Sequence, residues 1–198
     1  ARAVGSSGLR NRATLVGNIC SAVPCCDGGP ALLVYEAEIH LTGPAGHRSV
    51  PVTEWFAGPR KTALREGELV TGIVVPQLGA KHGGAFVKLG RYRGEDLAQA
   101  SVAVLALSGD GYRVAFGAVA PVPFRARKVE EILAGKKLTP ALIAQARKAA
   151  LQEIKPITDL RASKEYRAKM VGVMLERGLK AAVARRAGRT PAYGEHLL

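Results

Sequence analysis

Apolar residues recur along the chain at two spacings, every second position and every third or fourth, and the switches between them lay out its elements. Residues 1–18 mix Gly, Ser, Arg and Asn around scattered apolar positions and start no recognisable helix or strand. Pro30-Ala-Leu-Leu-Val-Tyr35 reads as a short helix with Pro in its first turn. Ala37 to Thr42 alternates as a half-buried strand does, and Gly43-Pro-Ala-Gly46 turns it into a second strand through Ser49 to Val52, predicting a hairpin. A brief helical or irregular piece starts at Glu54 and reaches Phe56. The β-branched run Glu68 to Val75, closed by Pro76, predicts another strand. The Gly-rich stretch Gly79 to Gly84 then reads as a linker dividing the chain into 1–80 and 81–198.

Beyond it, Ala85 to Leu89 predicts a strand, Arg91 to Glu95 a charged turn, and Ala98 to Leu107 a long apolar stretch. Ser108-Gly-Asp-Gly111 has the composition of a hairpin turn and leads into a further β-type segment, Tyr112 to Val119, so the second unit should hold three antiparallel strands in succession. Helices follow. One spans Arg127 to Ala134 and ends at Gly135; another is opened by Thr139-Pro140 and runs to about Ile154, with Leu142, Ala146, Ala149 and Ala150 near one face. The last runs from Ala162 to about Ala187, with Tyr166, Met170, Val173, Met174 and Val183 at spacings of three or four. The expected fold class is α+β.

Composition adds a question. The chain has 198 residues, 47% hydrophobic, enough for a substantial core, and 29 Lys plus Arg against 16 Asp plus Glu give a net charge of +13. Three owners compete for that charge: a nucleic-acid face, an anionic cofactor, or a docking surface. Aromatics at 5% argue against many base-stacking rings. Residues 161–189 carry nine Lys or Arg and two Glu, so the surplus concentrates in the last helix, where it serves either as a solvated face or as a docking or nucleic-acid surface. No run of 18 apolar residues and no apolar signal-peptide core are visible, so we expect a cytoplasmic chain without a membrane partner. Cys20, Cys25 and Cys26 make a poor disulfide framework, and His40, His47, His82 and His196 are scattered without ligand spacing, so no metal site is expected. The G-x-S-x-G, H-E-x-x-H and P-loop patterns are all absent, and no catalytic residue is assigned.

The segment richest in chemistry is Arg10 to Asp27, where small and hydroxyl residues surround Gly17 and a carboxylate follows ten positions later. Backbone N–H groups beside a glycine can approach anionic oxygens, a Thr hydroxyl can add a bond, and an Asp can accept from ribose or ring donors. On its own such a segment is more often just a turn. Here, however, Leu9-Arg-Asn11, Thr14-Leu-Val-Gly-Asn18, Pro24-Cys-Cys-Asp27 and Pro30-Ala-Leu-Leu33 follow one another. The series resembles the T-I-G-G-N, P-x-x-D and P-A-L-L-A-L segments of the FAD-binding medium subunits of molybdenum hydroxylases, the family of carbon monoxide dehydrogenase and xanthine dehydrogenase-like enzymes. The likeness continues through Phe56, Gly58-Pro-Arg-Lys-Thr62, Gly67-Glu-Leu-Val70, Phe86-Val-Lys-Leu-Gly-Arg91, Glu95-Asp-Leu-Ala98, Leu133-Ala-Gly135 and Ile157-Thr-Asp-Leu-Arg-Ala-Ser-Lys-Glu-Tyr-Arg167. It covers roughly residues 8 to 184, with several spaced motifs in order.

The resemblance implies the latter part of an FAD-binding domain (1–80) followed by the flavoprotein C-terminal domain (81–198). It also implies an oxidoreductase subunit whose FAD takes electrons from the 2Fe-2S clusters of a small subunit, themselves fed by a large molybdopterin-binding subunit. Residue by residue, Thr14 and Gly17 match positions at the FAD pyrophosphate, with Asn18 beside them. Ser21 and Asp27 match or adjoin positions at the ribityl or adenosine portion. Leu69 or Val70 packs near the flavin, Phe86 lies near its ring, and Lys88 matches a lysine at the flavin side, where a cation favours a reduced anionic flavin.

Two departures qualify it. Val16-Gly17 stands where the family has paired glycines, and the family's N-terminal FAD subdomain has no counterpart before residue 1, as in a fragment, a shortened form, or a half supplied by another chain. A branch of the family related to 4-hydroxybenzoyl-CoA reductase inserts a cysteine-rich segment between the T-x-x-G-N loop and the Asp; Ile19 to Cys26 carries none, which makes the cysteines loop or buried thiols, with Cys20 and Cys26 close enough to a flavin to be oxidation-sensitive. A flavin-free docking subunit and, more distantly, a basic nucleic-acid-binding protein are the alternatives.

Overall fold

The computed structural model describes residues 2–79, 81–92, 96–193 and 197–198. Four antiparallel strands in the order β6-β7-β8-β9 form the central sheet: β6 Gly83–Leu89, β7 Ala100–Ala106, β8 Tyr112–Gly117 and β9 Phe124–Arg125. The three predicted strands are present, and a two-residue β9, too short for any periodicity, adds a fourth. All of β7 is buried, because both faces of the sheet are covered and alternation has no solvent side to report.

One face packs against three helices, α5 Arg127–Leu133, α6 Pro140–Glu153 and α7 Lys164–Arg186, through Val87, Val102, Val104, Val114 and Phe116. Thr139 caps α6 as its sequence predicts, its hydroxyl accepting from the Leu142 N–H at 3.2 Å. The buried stripe of α7 differs from the expected one. Val171, Met174, Leu175 and Leu179 face the sheet, with Gly178 allowing close approach to Val87 and Val104 and Gly172 lying against Arg147 of α6, while Tyr166 is exposed.

The opposite face receives the N-terminal part of the chain. Phe86, Ala103, Leu105 and Ala115 meet Leu32, Leu33, Ile39, Leu41 and Trp55 in one core. These come from helix α3 Gly28–Tyr35, from the hairpin β1 Glu38–Gly43 and β2 Gly46–Pro51, and from helix α4 Val52–Trp55. Strand β5 Leu69–Val74 completes a sheet ordered β2-β1-β5, and β3 Phe56–Gly58 and β4 Lys61–Thr62 form a small separate hairpin. The two sequence units thus cover the two faces of one sheet.

Two sequence expectations are corrected. Gly83 and Gly84, read as part of a linker, are the first residues of β6, and a side chain at Gly83 would overlap the backbone of α7 at Ala182 and Arg186. Gly83 is there for close packing, which composition alone cannot tell from flexibility. Ala80 in that stretch and residues 93–95 of the expected charged turn lie outside the described residues, as does His196. The N-terminal stretch read as structureless forms two short helices, α1 Ser7–Arg10 and α2 Leu15–Cys20, each begun by a hydroxyl cap, Ser6 and Thr14.

The basic surplus of residues 161–189 is largely bound up within the fold. Arg167 is buried and donates to the carbonyls of Gln99 and Ala118 and to Asp159; Arg186 pairs with Asp110, Lys180 with Glu176, Arg177 with the Leu197 carbonyl, and Arg185 with the carbonyls of Gly84, Pro191 and Ala192. The arginines among them tie α7 to its surroundings, while Lys180 pairs with Glu176 within the helix itself.

Helix α3 is fixed at both ends. Arg125, buried and paired bidentately with Glu130, also donates to the Leu33 carbonyl and to Glu36, and Arg113 adds the Val34 carbonyl, so the helix C-terminus is held by cations. At the other end Pro30 sits over Gly117 of β8: a Cβ there would lie 2.9 Å from Pro30 Cγ and 2.5 Å from the buried Ser101 hydroxyl. Gly117→Ala is therefore expected to push α3 off the sheet and destabilise the fold by about 2–3 kcal/mol. Urea unfolding measures this, and a midpoint equal to that of the wild type would contradict the seat.

Candidate functional site

Alternation along β6 decides which side chains reach α3. Val87 faces the helical layer, so Phe86 and Lys88 face the other way, and the register sets Lys88 opposite Ser101 and Ser101 opposite Gly117. With Pro30 seated over Gly117, the residue one turn earlier, Asp27, comes to the end of the Lys88 side chain. The two form an ion pair at 2.7 Å, with side chains only 9% and 12% exposed. Lys88 also donates to the Ala3 carbonyl at 2.6 Å.

The pair is lopsided. Asp27 Oδ2 accepts from Lys88, while Oδ1 is buried without a hydrogen-bond partner. Such an oxygen is costly to leave unpaired. Burial pushes the Asp27 carboxyl above its ordinary value, and the hydrogen bond and charge of Lys88 pull against that without cancelling it.

Around this pair the structure assembles the first group of predicted site residues. Thr14 caps α2, its hydroxyl oxygen accepting from the Gly17 N–H at 2.8 Å; a Cβ on Gly17 would meet that hydroxyl at 3.0 Å. The expected phosphate-type loop is thus a capped helical turn, and Val16 sits half-exposed within it. Asn18 Oδ1 accepts from the Gly28 N–H at 2.8 Å, joining α2 to the start of α3, and Ser21 donates to the Asn18 carbonyl at 2.6 Å, closing the end of α2. Gly28 is needed where it stands: a side chain would lie 2.7 Å from Asn18 Oδ1.

The second group is placed less tightly. Phe86 is half-buried, one alternation from Lys88 on the same face, and Val70 packs at the edge of the same core. Leu69 points the other way and is 72% exposed, so of the alternative Leu69 or Val70 only Val70 shares a core with Phe86. The strand carrying both is anchored by Arg48, which grips Glu68 bidentately at 2.6 and 2.7 Å; with the Arg65 N–H, this holds the Glu68 carboxyl down at about 2.

Sequence reasoning missed Gly28, Gly29 and Ala3. The run Asp27-Gly-Gly-Pro30 is the signal that could have located the first two, since a side chain on Gly29 would meet Cys26 and Pro123 at about the same separation. All three thiols are free, and burial raises each above its ordinary value, Cys26 to about 12. They stand as thiols, which lowers their reactivity. Among the described residues no His, Cys, Asp and Glu group could hold a metal ion, and no helix is long and apolar enough to cross a membrane.

With this geometry in hand, comparison with known proteins is informative. Residues 1–78 match the family described as the FAD binding domain in molybdopterin dehydrogenase, and residues 85–182 match the CO dehydrogenase flavoprotein C-terminal domain. The carbon monoxide dehydrogenase medium chain of Hydrogenophaga pseudoflava is 34% identical over 188 residues, 93% of this chain and 66% of the relative; the glyceraldehyde dehydrogenase medium chain of Sulfolobus acidocaldarius is 36% identical over 183 residues, 90% and 64%. Among solved structures, carbon monoxide dehydrogenase from Hydrogenophaga pseudoflava superposes with a TM-score of 0.89 at 36% identity, covering 93% of this chain and 65% of that one. Quinoline 2-oxidoreductase from Pseudomonas putida 86 gives a TM-score of 0.84 at 25% identity, covering 94% and 65%. The chain belongs to the family of FAD-binding medium subunits of molybdenum hydroxylases. It spans just under two thirds of the length of the relatives it matches.

Removing the cation from the buried pair gives a test of its electrostatics. Lys88→Met leaves the Asp27 carboxylate buried and unpaired and should destabilise the fold by about 3 kcal/mol at neutral pH. Asp27 already binds its proton more tightly folded than unfolded, so it favours the folded state below its ordinary pKa and disfavours it as pH rises through the raised value. Without Lys88 the raised value climbs further. The deficit should therefore shrink as pH is lowered toward the ordinary carboxylate range, read by urea unfolding of both proteins across pH; a deficit independent of pH would exclude this origin.

Proposed function

We propose that the chain is the FAD-binding, electron-transfer portion of a subunit of a multi-subunit molybdenum hydroxylase. In this reading residues 1–80 form the latter part of the FAD-binding domain and 81–198 the flavoprotein C-terminal domain. Its partners are a large molybdopterin-binding subunit and a small 2Fe-2S subunit, and it resides in the cytoplasm. The observation that carries the reading is the orphaned, buried Asp27 Oδ1 beside Lys88: an acceptor held ready for a hydroxyl or ring N–H donor, next to a cation with donor capacity left.

When bound, FAD supplies a centre that takes up electrons and passes them to an external acceptor. The chain's residues hold and tune it. Asp27 accepts a hydrogen bond from the ribityl or adenosine portion through Oδ1, which satisfies that oxygen. Lys88, held in place by Asp27 Oδ2 and the Ala3 carbonyl, offers its positive charge to the ring, favouring its reduced anionic form. The Thr14 hydroxyl, whose oxygen already accepts from Gly17, keeps its proton to donate to a phosphate oxygen. Asn18 orients the start of α3 through Gly28, and Ser21 steadies the end of α2. Phe86 and Val70 present apolar surface, which keeps water from the ring. Because Val16 replaces a glycine, the backbone approach to the phosphates on this side is limited to Gly17.

The test is the absorption spectrum of the intact protein, together with flavin released on denaturation. The wild type should carry flavin. Asp27→Ala should weaken its retention by about tenfold or more, the loss expected for a hydrogen bond to a charged acceptor. A colourless wild-type protein that still assembles with partner subunits would replace this reading with that of a flavin-free docking subunit.

A further inference from the structure

The two ends of β6 have different neighbours. Lys88 near one end meets Asp27, whereas Gly83, roughly 17 Å back along the extended strand, is pressed against the last turns of α7. The register pairs Gly83 with Ala106, so the turn that joins β7 to β8 stands at the same end. Between that turn and the end of α7 opens a cleft of about 580 Å³, and its charged lining is Lys81, Asp110, Arg186 and Arg189.

The carboxylate in this set is already engaged. Arg186 donates to Asp110 Oδ1 at 2.8 Å and to the Leu107 carbonyl, which fixes the guanidinium in the wall of the cleft with N–H groups left over. The other two cations are not engaged. Among the described residues neither Lys81 nor Arg189 has a hydrogen-bond or ion-pair partner for its side chain, whereas Arg167, Arg177, Arg185 and Arg186 of the preceding helix all hold acceptors of the fold. The negative pole of α7 is blunted as well, because the carbonyls of Val183, Ala184 and Arg185 accept from the N–H groups of Ala187, Gly188 and Arg189. Three cations against one carboxylate thus face one concave surface, and a concavity focuses their field. Converging like charges repel, and an anion seated among them removes that penalty.

The uncharged lining narrows the class of anion. Ser108 is exposed and its hydroxyl caps nothing, which leaves a donor beside the cations, while Val183 and Ala187 supply an apolar wall. A guanidinium fork and an ammonium both suit phosphate oxygens, and the cleft has the volume of a site for a small organic molecule, more than a bare phosphate fills. We propose that Lys81, Arg186 and Arg189 bind the diphosphate group of a free nucleoside diphosphate, with its sugar or base against Val183 and Ala187. This second site lies at the far end of β6 from Asp27 and stands independently of the flavin reading.

Calorimetric titration of the purified protein with ADP tests the proposal, using the wild type, Lys81→Gln, Arg189→Gln, and Lys148→Gln, a control at an exposed cation of α6. The wild type and the control should bind ADP with equal affinity. Lys81→Gln and Arg189→Gln should each weaken it by about tenfold or more, the loss expected for a hydrogen bond between charged groups. Neither side chain holds another part of the fold, so both variants should keep the wild-type thermal midpoint. Inorganic pyrophosphate should bind about tenfold or more weakly than ADP, since it leaves the apolar wall uncovered. Unchanged affinity in both cleft variants, as binding at Thr14 and Gly17 would give, overturns the proposal, as does a wild type that binds no ADP. Pyrophosphate held as tightly as ADP overturns the nucleotide assignment. Displacement of ADP by a short DNA duplex at physiological salt, lost in the same variants, would make the cleft part of a nucleic-acid face and equally overturn it.

Discussion

Much of this structure depends on one close approach, the seat of Pro30 on Gly117. The first turn of α3 can touch the central sheet only where β8 offers no side chain, and the buried Ser101 hydroxyl fills the rest of the space a Cβ would need. That contact sets the height and rotation of α3. It brings Asp27 to Lys88 at one end, and at the other it leaves the last carbonyls of the helix within reach of Arg113 and Arg125. The N-terminal sheet packs through α3, so its position follows from the same contact. A helix of eight residues is too short to be stable alone; α3 exists because its apolar sides and both termini are bound.

The positive surplus that invites a nucleic-acid reading takes on another meaning once its partners are known. Arginines 125, 167, 185 and 186 bind carbonyls or carboxylates of distant segments, and most of these bonds are partly or wholly buried. A guanidinium suits this work because its planar fork of donors can hold two or three acceptors at once. The cost appears at Arg167, whose Nε is buried without a partner. Arg167, Arg185 and Arg186 of α7 thus serve as cross-links of the fold.

Elements with a solvent side were legible in the sequence. The hairpin of β1 and β2, the strand β5 and the capped start of α6 all follow from alternation, turn chemistry or Thr139-Pro140, because one exposed face leaves its period in the residues. Legibility failed where tertiary contact replaces periodicity. Gly83 belongs to a strand pressed on α7, β9 is two residues long, and the buried face of α7 is marked by glycines and small residues that a search for large apolar spacing passes over. The site divides in the same way. Asp27 and Lys88 were named as separate positions along a cofactor, and nothing in their 61-residue separation says that they touch. Their pairing depends on strand register and on the seat of α3, which are properties of the whole fold.

Under the proposed function, the pair suits a site that takes up electrons. A buried cation alone would be driven to lose its proton, and a buried carboxylate alone to gain one. Together they hold the Lys88 amine in place through Oδ2 while the other carboxylate oxygen stays unsatisfied. A ligand that donates to Oδ1 then removes an existing penalty as well as making a new bond, so part of its affinity is stored in the empty fold. The same contact leaves Lys88 in place, so the positive potential is preorganised and need not be assembled when charge arrives.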